Sequence, residues 1–119
     1  MPVPGAVGRL GVPRDTFWEH ARNSLGIARL LAHEDRPEAL LATACRSAVE
    51  NACRAALDHS GLPFDGNLAR ALSYLSAPER LLDELETSFG PQRLAAAEKA
   101  VAWLAAYLRA EVPEKAWGF

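Results

Sequence analysis

Residues that start and stop helices constrain this chain more than any other feature. Asp15, Asp35 ahead of Pro37, Ser76 ahead of Pro78, and Gly90-Pro91 each read as a helix start, and every long apolar stretch lies between two such marks. No stretch alternates apolar and polar residues as a half-buried strand does, and no internal repeat is present. The pattern predicts an all-α protein, an up-down bundle of four to five helices with short loops between antiparallel neighbours.

The first helix is expected from about Thr16 to His33 with Asp15 as its N-cap. At about 100° per residue, Phe17, Ala21, Leu25, Ala28, Leu31 and Ala32 share one face. Glu19, Arg22, Arg29 and His33 share the other, and Gly26 falls on that polar side, where it weakens the helix but admits a close neighbour. A second helix runs to about His59 and stops at Gly61-Leu62-Pro63. Its apolar face, Leu41, Ala44, Cys45, Ala48, Ala52 and Ala56, flanked by Val49 and Cys53, is built of small residues that let a neighbour pack closely.

A short helix from Asn67 to Leu75 follows, and Ser76-Ala77-Pro78-Glu79 has the capping-box pattern for a helix ending near Ser88. Gly90-Pro91 opens the last helix, which reaches about Ala110 ahead of Pro113. That helix carries two apolar stripes. Leu94, Ala97, Val101, Leu104 and Leu108 form one; Ala96, Ala100, Trp103 and Tyr107 form the other. A helix apolar around so much of its circumference must be central in the bundle or bury its second stripe against another subunit. Ala96, Ala100, Trp103 and Tyr107 are therefore the candidate homodimer interface. The chain divides into a flexible arm (1–14), the bundle (15–111) and a tail (112–119) whose Trp117 and Phe119 are expected to dock on this chain or a partner.

Composition narrows the function classes. With 119 residues, half of them hydrophobic, and a net charge of −2, the chain is one ordinary globular domain without a generally basic surface. Its cations are nearly all arginine, Lys99 and Lys115 being the only lysines. Cys45 and Cys53, eight residues apart on one helix, lie about 12 Å apart along it, beyond the roughly 7 Å a disulfide spans. They read as reduced core thiols of a cytoplasmic protein. Met1 to Pro13 is not expected to be a signal peptide, and Ala100 to Leu108 is too short to cross a membrane.

Few constellations carry chemistry. Glu84 and Glu86 read as a solvated face, Glu19-His20 has the wrong spacing for a di-metal bundle, and no Gly-rich phosphate loop occurs. No metal and no cofactor are expected. The most organised polar feature is the stripe Arg46, Glu50, Arg54 and Asp58, whose four-residue spacing sets alternating charges along one helix face. Solvated ion pairs explain it simply. In a functional version Arg46 and Arg54, with Ser47, Glu50 and Asn51, line a groove for a phosphate or a partner's acidic segment.

The layout resembles the HEPN superfamily. The likeness rests on Ala28-Arg29-Leu30-Leu31 before a tight break and on the alanine-rich helix containing Ala48-Val49-Glu50-Asn51-Ala52-Cys53-Arg54-Ala55-Ala56-Leu57. It continues through Gly61, the stretch Leu68 to Leu75 and the apolar last helix. The resemblance implies a helical bundle that commonly dimerises, and either an RNase or a non-catalytic module such as the partner subunit of a small nucleotidyltransferase. RNase members carry arginine and, four to six residues on, histidine near the start of the last helix. Here Arg93 is followed by Leu94, and no histidine comes after His59. The catalytic pair is not carried over.

The sequence thus favours a non-catalytic HEPN-like module binding a partner protein or a nucleotide-bearing ligand. An RNase toxin-like enzyme using Arg54 and His59 across a homodimer is the alternative, with a purely structural assembly protein as a third reading. RNA enters only with the enzymatic alternative, and no membrane is expected as a partner.

Overall fold

The computed structural model describes residues 12–34 and 37–111, and the fold among them is an all-α bundle of five helices with no strand. The helices are α1 (Val12–His33), α2 (Glu38–Ser60), α3 (Leu68–Tyr74), α4 (Glu79–Thr87) and α5 (Pro91–Glu111). Most of the expected arm, the break residues Asp35 and Arg36, and the tail with Trp117 and Phe119 lie outside the described residues.

Two helix starts differ from the sequence expectation. Helix α1 begins at Val12, so Asp15 lies inside it instead of capping it, and Pro13 occupies the first turn, where its missing N–H costs nothing. Ser76 does not cap α4, whose N-cap is Pro78 with no side-chain cap bond. Ser76 instead ends the preceding helix. It adopts a left-handed φ of 60°, its N–H donates to the Ser73 carbonyl, and the Ala77 N–H donates to the Leu72 carbonyl. That pair of bonds is the Schellman ending, which satisfies carbonyls the helix leaves open. Gly61 ends α2 the same way at φ 75°, with bonds from Gly61 to Asp58 and from Leu62 to Leu57.

The α1–α2 hairpin is the most extensive packing in the molecule, and α5 packs on α2, α4 and α1. Helix α5 runs parallel to α2. Gly90 and Glu38 meet at their first turns, and the Ser60 and Tyr107 hydroxyls share a 3.0 Å hydrogen bond at the far end. The short α3 and α4 carry the chain back so that two parallel long helices can be neighbours. Helix α4 packs antiparallel to α5, with Lys99 Nζ 3.0 Å from Glu84.

Small residues fill the contact. On α2 the buried set includes Ala44, Cys45, Ala48, Ala52, Cys53, Ala55 and Ala56, opposite Ala21 and Ala28 of α1 and Ala97 and Ala100 of α5. Trp18 joins this core, buried on the same stripe as Ala21 and Leu25, while Phe17 is only partly covered. The expected face of α1 is thus the core face, with Ala21, Leu25 and Ala28 buried and Phe17, Leu31 and Ala32 packed against it, and Trp18 is the addition. No helix among the described residues is long and apolar enough to cross a membrane.

A serine held in the left-handed region costs about 1 kcal/mol relative to glycine. Ser76→Gly is expected to raise the unfolding free energy by about that amount, and Gly61→Ala to lower it by about as much. Urea denaturation of both variants checks the pair, and a destabilised Ser76→Gly would show that the hydroxyl matters more than the backbone.

Candidate functional site

The structure divides the residues expected to line one groove on α2. Arg46 Nε donates to Glu50 Oε2 at 3.1 Å, and Arg46 Nη1 lies 3.6 Å from Glu86 of α4. Ser47 and Asn51 face the other way, toward α1. The Ser47 hydroxyl shares a 3.1 Å hydrogen bond with Ser24, and Asn51 Nδ2 donates to the Ser47 carbonyl at 3.0 Å. Arg54 leaves the stripe altogether. Its guanidinium lies between two rings, 5.9 Å from the Phe17 centroid and 5.0 Å from that of Phe64. The alternating ladder thus has one formed rung, Arg46–Glu50, and the five residues do not converge.

The alternative catalytic pair is not assembled within the chain either. Arg54 is held by its rings, and His59 is exposed in the last turn of α2. No hydrogen bond joins the two side chains. Five residues along a helix turn through about 500°, which leaves them pointing about 140° apart.

Arg93, near the start of α5, has a structural task. Its Nε donates to the Ser88 carbonyl at 2.9 Å and lies 3.2 Å from Glu38 Oε2, and its guanidinium stands over the Phe89 ring. An arginine Nε has one hydrogen, and Ser88 takes it, so the attraction to Glu38 is Coulombic. The other carboxylate oxygen of Glu38 accepts the Gly90 N–H at 2.9 Å. This small cluster fixes the start of α5 against the start of α2.

The two thiols are buried. Burial pushes the Cys45 thiol up to about 11, with the Arg93 charge pulling weakly against it, and pushes Cys53 up to about 12. Burial thus holds both in the protonated form near neutral pH and disfavours thiolate reactivity. Among the described residues no group of His, Cys, Asp and Glu could hold a metal ion, and no polar or charged residue is buried.

The candidate dimer stripe on α5 is mostly occupied by the chain itself. Ala96 and Ala100 are buried in its own core, which leaves them no surface to offer a second subunit. Trp103 and Tyr107 are partly buried, stacked on each other with centroids 6.0 Å apart, and the Tyr107 hydroxyl is tied to Ser60. Packing of α5 within its own bundle covers most of this stripe, the central placement that was the other expectation for a two-striped helix.

The unpartnered apolar surface lies elsewhere. Ile27, Leu30 and Leu40 are 54%, 55% and 51% exposed. Ile27 and Leu40 border a groove of about 400 Å³ between α1 and α2, lined also by Ser24, Leu31, Ala44 and Ser47 and free of charged side chains. Gly26 stands beside Ile27 on α1, and a Cβ added there would meet nothing within 4 Å. A helical wheel could have flagged this face, because Ile27 and Leu30 fall outside the core stripe yet are large and apolar. Attention to the core stripe alone hides them. Comparison with protein-family models, curated proteins and solved structures finds no match.

Two outcomes are expected from this geometry. Iodoacetamide near neutral pH should leave both thiols of the folded chain unmodified and alkylate them once the chain unfolds, as mass spectrometry would show. Glu38→Gln should lower stability by about 1.5 kcal/mol, the low end of the range for a hydrogen bond to a charged group because the carboxylate is partly exposed. A double-mutant cycle with Arg93→Gln should return a coupling between the two residues, and an additive cycle would remove Arg93 from the cluster.

Proposed function

We propose that this chain is a non-catalytic helical interaction module that docks a partner protein on the α1–α2 face. The observation that carries the reading is an uncharged groove bordered by exposed Ile27 and Leu40, with exposed Leu30 three residues from Ile27 on α1. Fully burying one such side chain is worth about 1.5–3 kcal/mol. Each of these is about half exposed, so covering all three recovers roughly half of that from each. Protein interfaces are depleted of charge at their centre, as this face is, whereas a nucleic-acid surface needs cations. The arginines Arg29, Arg46, Arg70 and Arg93 are each engaged by a carboxylate of the chain itself. The HEPN-like layout supports the same reading and makes a small nucleotidyltransferase the first kind of partner to try. Two buried free thiols suit a reducing, cytoplasmic setting.

A nucleotide-bearing ligand is the second reading, and Arg54 is the observation that favours it. Its guanidinium lies over the Phe17 and Phe64 rings and makes no ion pair among the described residues, which suits it to meet a phosphate. A nucleoside monophosphate titrated into the chain should then bind the wild type and not Arg54→Ala.

The Ile27→Asp/Leu40→Asp variant is expected to keep its helix content and lose the protein that the wild-type chain binds. Retention of that protein would overturn the reading. Labelled RNA incubated with the purified chain should stay intact. Cleavage that disappears in both Arg54→Ala and His59→Ala would establish the nuclease alternative in its place.

A further inference from the structure

An antiparallel pair of helices has two grooves. Helix α5 packs on both α1 and α2 and fills one groove of their hairpin, while the other is open beside Ile27 and Leu40. The floor of the open groove is a ladder of three rungs, each made of one residue from α1 and one from α2. Ser24 and Ser47 share a 3.1 Å hydrogen bond. Seven residues earlier on α1 and seven later on α2, the Arg54 guanidinium stands 5.9 Å from the Phe17 centroid. Seven residues the other way, Leu31 and Leu40 line the groove together with the two serines. Seven residues are two helical turns, about 10.5 Å, so the rungs lie nearly in line over about 21 Å.

Each rung restricts what can cover it. The Leu31–Leu40 rung, with Ile27 beside it, takes aliphatic side chains. At the middle rung the hydroxyls satisfy each other and Asn51 donates to the Ser47 carbonyl, so a small apolar residue can lie there without leaving them unpaired. The last rung takes an anion. Of the two carboxylates one turn from Arg54 on α2, Glu50 holds Arg46 at 3.1 Å, and Asp58 forms no ion pair with Arg54. The Phe17 and Phe64 rings fix the guanidinium in place without neutralising it.

We propose that the open α1–α2 groove receives one amphipathic helix of a partner protein, with aliphatic residues on the Leu31–Leu40 rung and, two heptads along, a carboxylate on Arg54. The proposal rests on the reading of the chain as an interaction module and supplies the chemistry of its partner. A helix laid along the groove returns one face to each rung, because its own residues seven apart are also about 10.5 Å apart. An extended segment reaches the next rung in about three residues, at about 3.3 Å each, and presents its opposite face there. A nucleotide held at Arg54 would leave the apolar rung bare. Helix α5 is the precedent within the molecule, since it lies along the same hairpin on its other side.

Phage-displayed helices randomised on one face over three heptads, panned on the full chain, test this. Enriched helices should carry Leu, Ile or Met at one end of that face and Asp or Glu fourteen residues away. A labelled peptide of the enriched sequence should bind at least tenfold more weakly to Arg54→Gln and to Ile27→Asp/Leu40→Asp, both with wild-type circular dichroism. Arg54→Glu should lose the peptide and regain it once the peptide's acid is replaced by lysine, a rescue that a merely disturbed fold would not allow.

Enriched helices without an acid at that position overturn the proposal, as does a peptide that binds Arg54→Gln as tightly as the wild type. So does a chain that enriches no helix, whether or not a nucleoside monophosphate binds through Arg54. The module reading is decided separately, by whether Ile27→Asp/Leu40→Asp still holds the partner protein of the wild-type chain.

Discussion

The contact between α2 and its two long neighbours is the constraint on which the rest depends. A helix that buries Ala44, Cys45, Ala48, Ala52, Cys53, Ala55 and Ala56 offers little side-chain volume. It gains stability only if neighbouring backbones come close enough for dense packing. Helices α1 and α5 meet that demand with alanines of their own, and the larger groups Trp18, Leu57, Leu104 and Leu108 close the ends and sides. Any larger residue in the middle of α2 would separate both neighbours at once. That no polar or charged residue among the described ones is buried as a whole suits the same geometry, because so tight a contact has no room for a solvated side chain.

Surface chemistry is correspondingly sparse. The arginines that composition makes conspicuous are spent largely on tying elements together: Arg29 to Glu98 between α1 and α5, Arg70 to Asp65 before α3, Arg93 at the α4–α5 turn. The Asp65 carboxyl is held below its ordinary range by the Asn67 N–H and by Arg70, as suits a loop clasp. Arg54 departs from this habit, lying over the Phe17 and Phe64 rings instead of against a carboxylate. Among the exposed large apolar side chains, Ile27, Leu30 and Leu40 lie on the α1–α2 hairpin, two of them beside an uncharged groove.

Helix content and most helix boundaries were legible in the residues. Gly61, Asn67 and Gly90-Pro91 act where their backbone preferences and capping atoms say they should. Ser76 was not legible, because a serine ahead of proline and glutamate matches a start signal, while its left-handed backbone depends on the Leu72 and Ser73 carbonyls behind it. The direction of α5 was hidden for a similar reason. A two-striped helix announces burial on two sides, but only the Glu38–Gly90 and Ser60–Tyr107 contacts tell that both sides are met within one chain. The α2 stripe misled because four-residue spacing permits a ladder of ion pairs without requiring one, and aromatic rings 37 and 10 residues from Arg54 competed for its guanidinium.

The Glu38–Gly90 hydrogen bond has a consequence for how the chain reaches this structure. It joins residues 52 apart in sequence, across everything from α2 to the α4–α5 turn. The α1–α2 hairpin closes over a short break, whereas α5 finds its starting point only after that long loop has closed and its entropy has been lost. The hairpin can therefore form early, and the last helix is fixed in place late. Until then the alanine face of α2 stands half uncovered, so the speed with which α5 arrives sets how long a newly made chain exposes its stickiest surface.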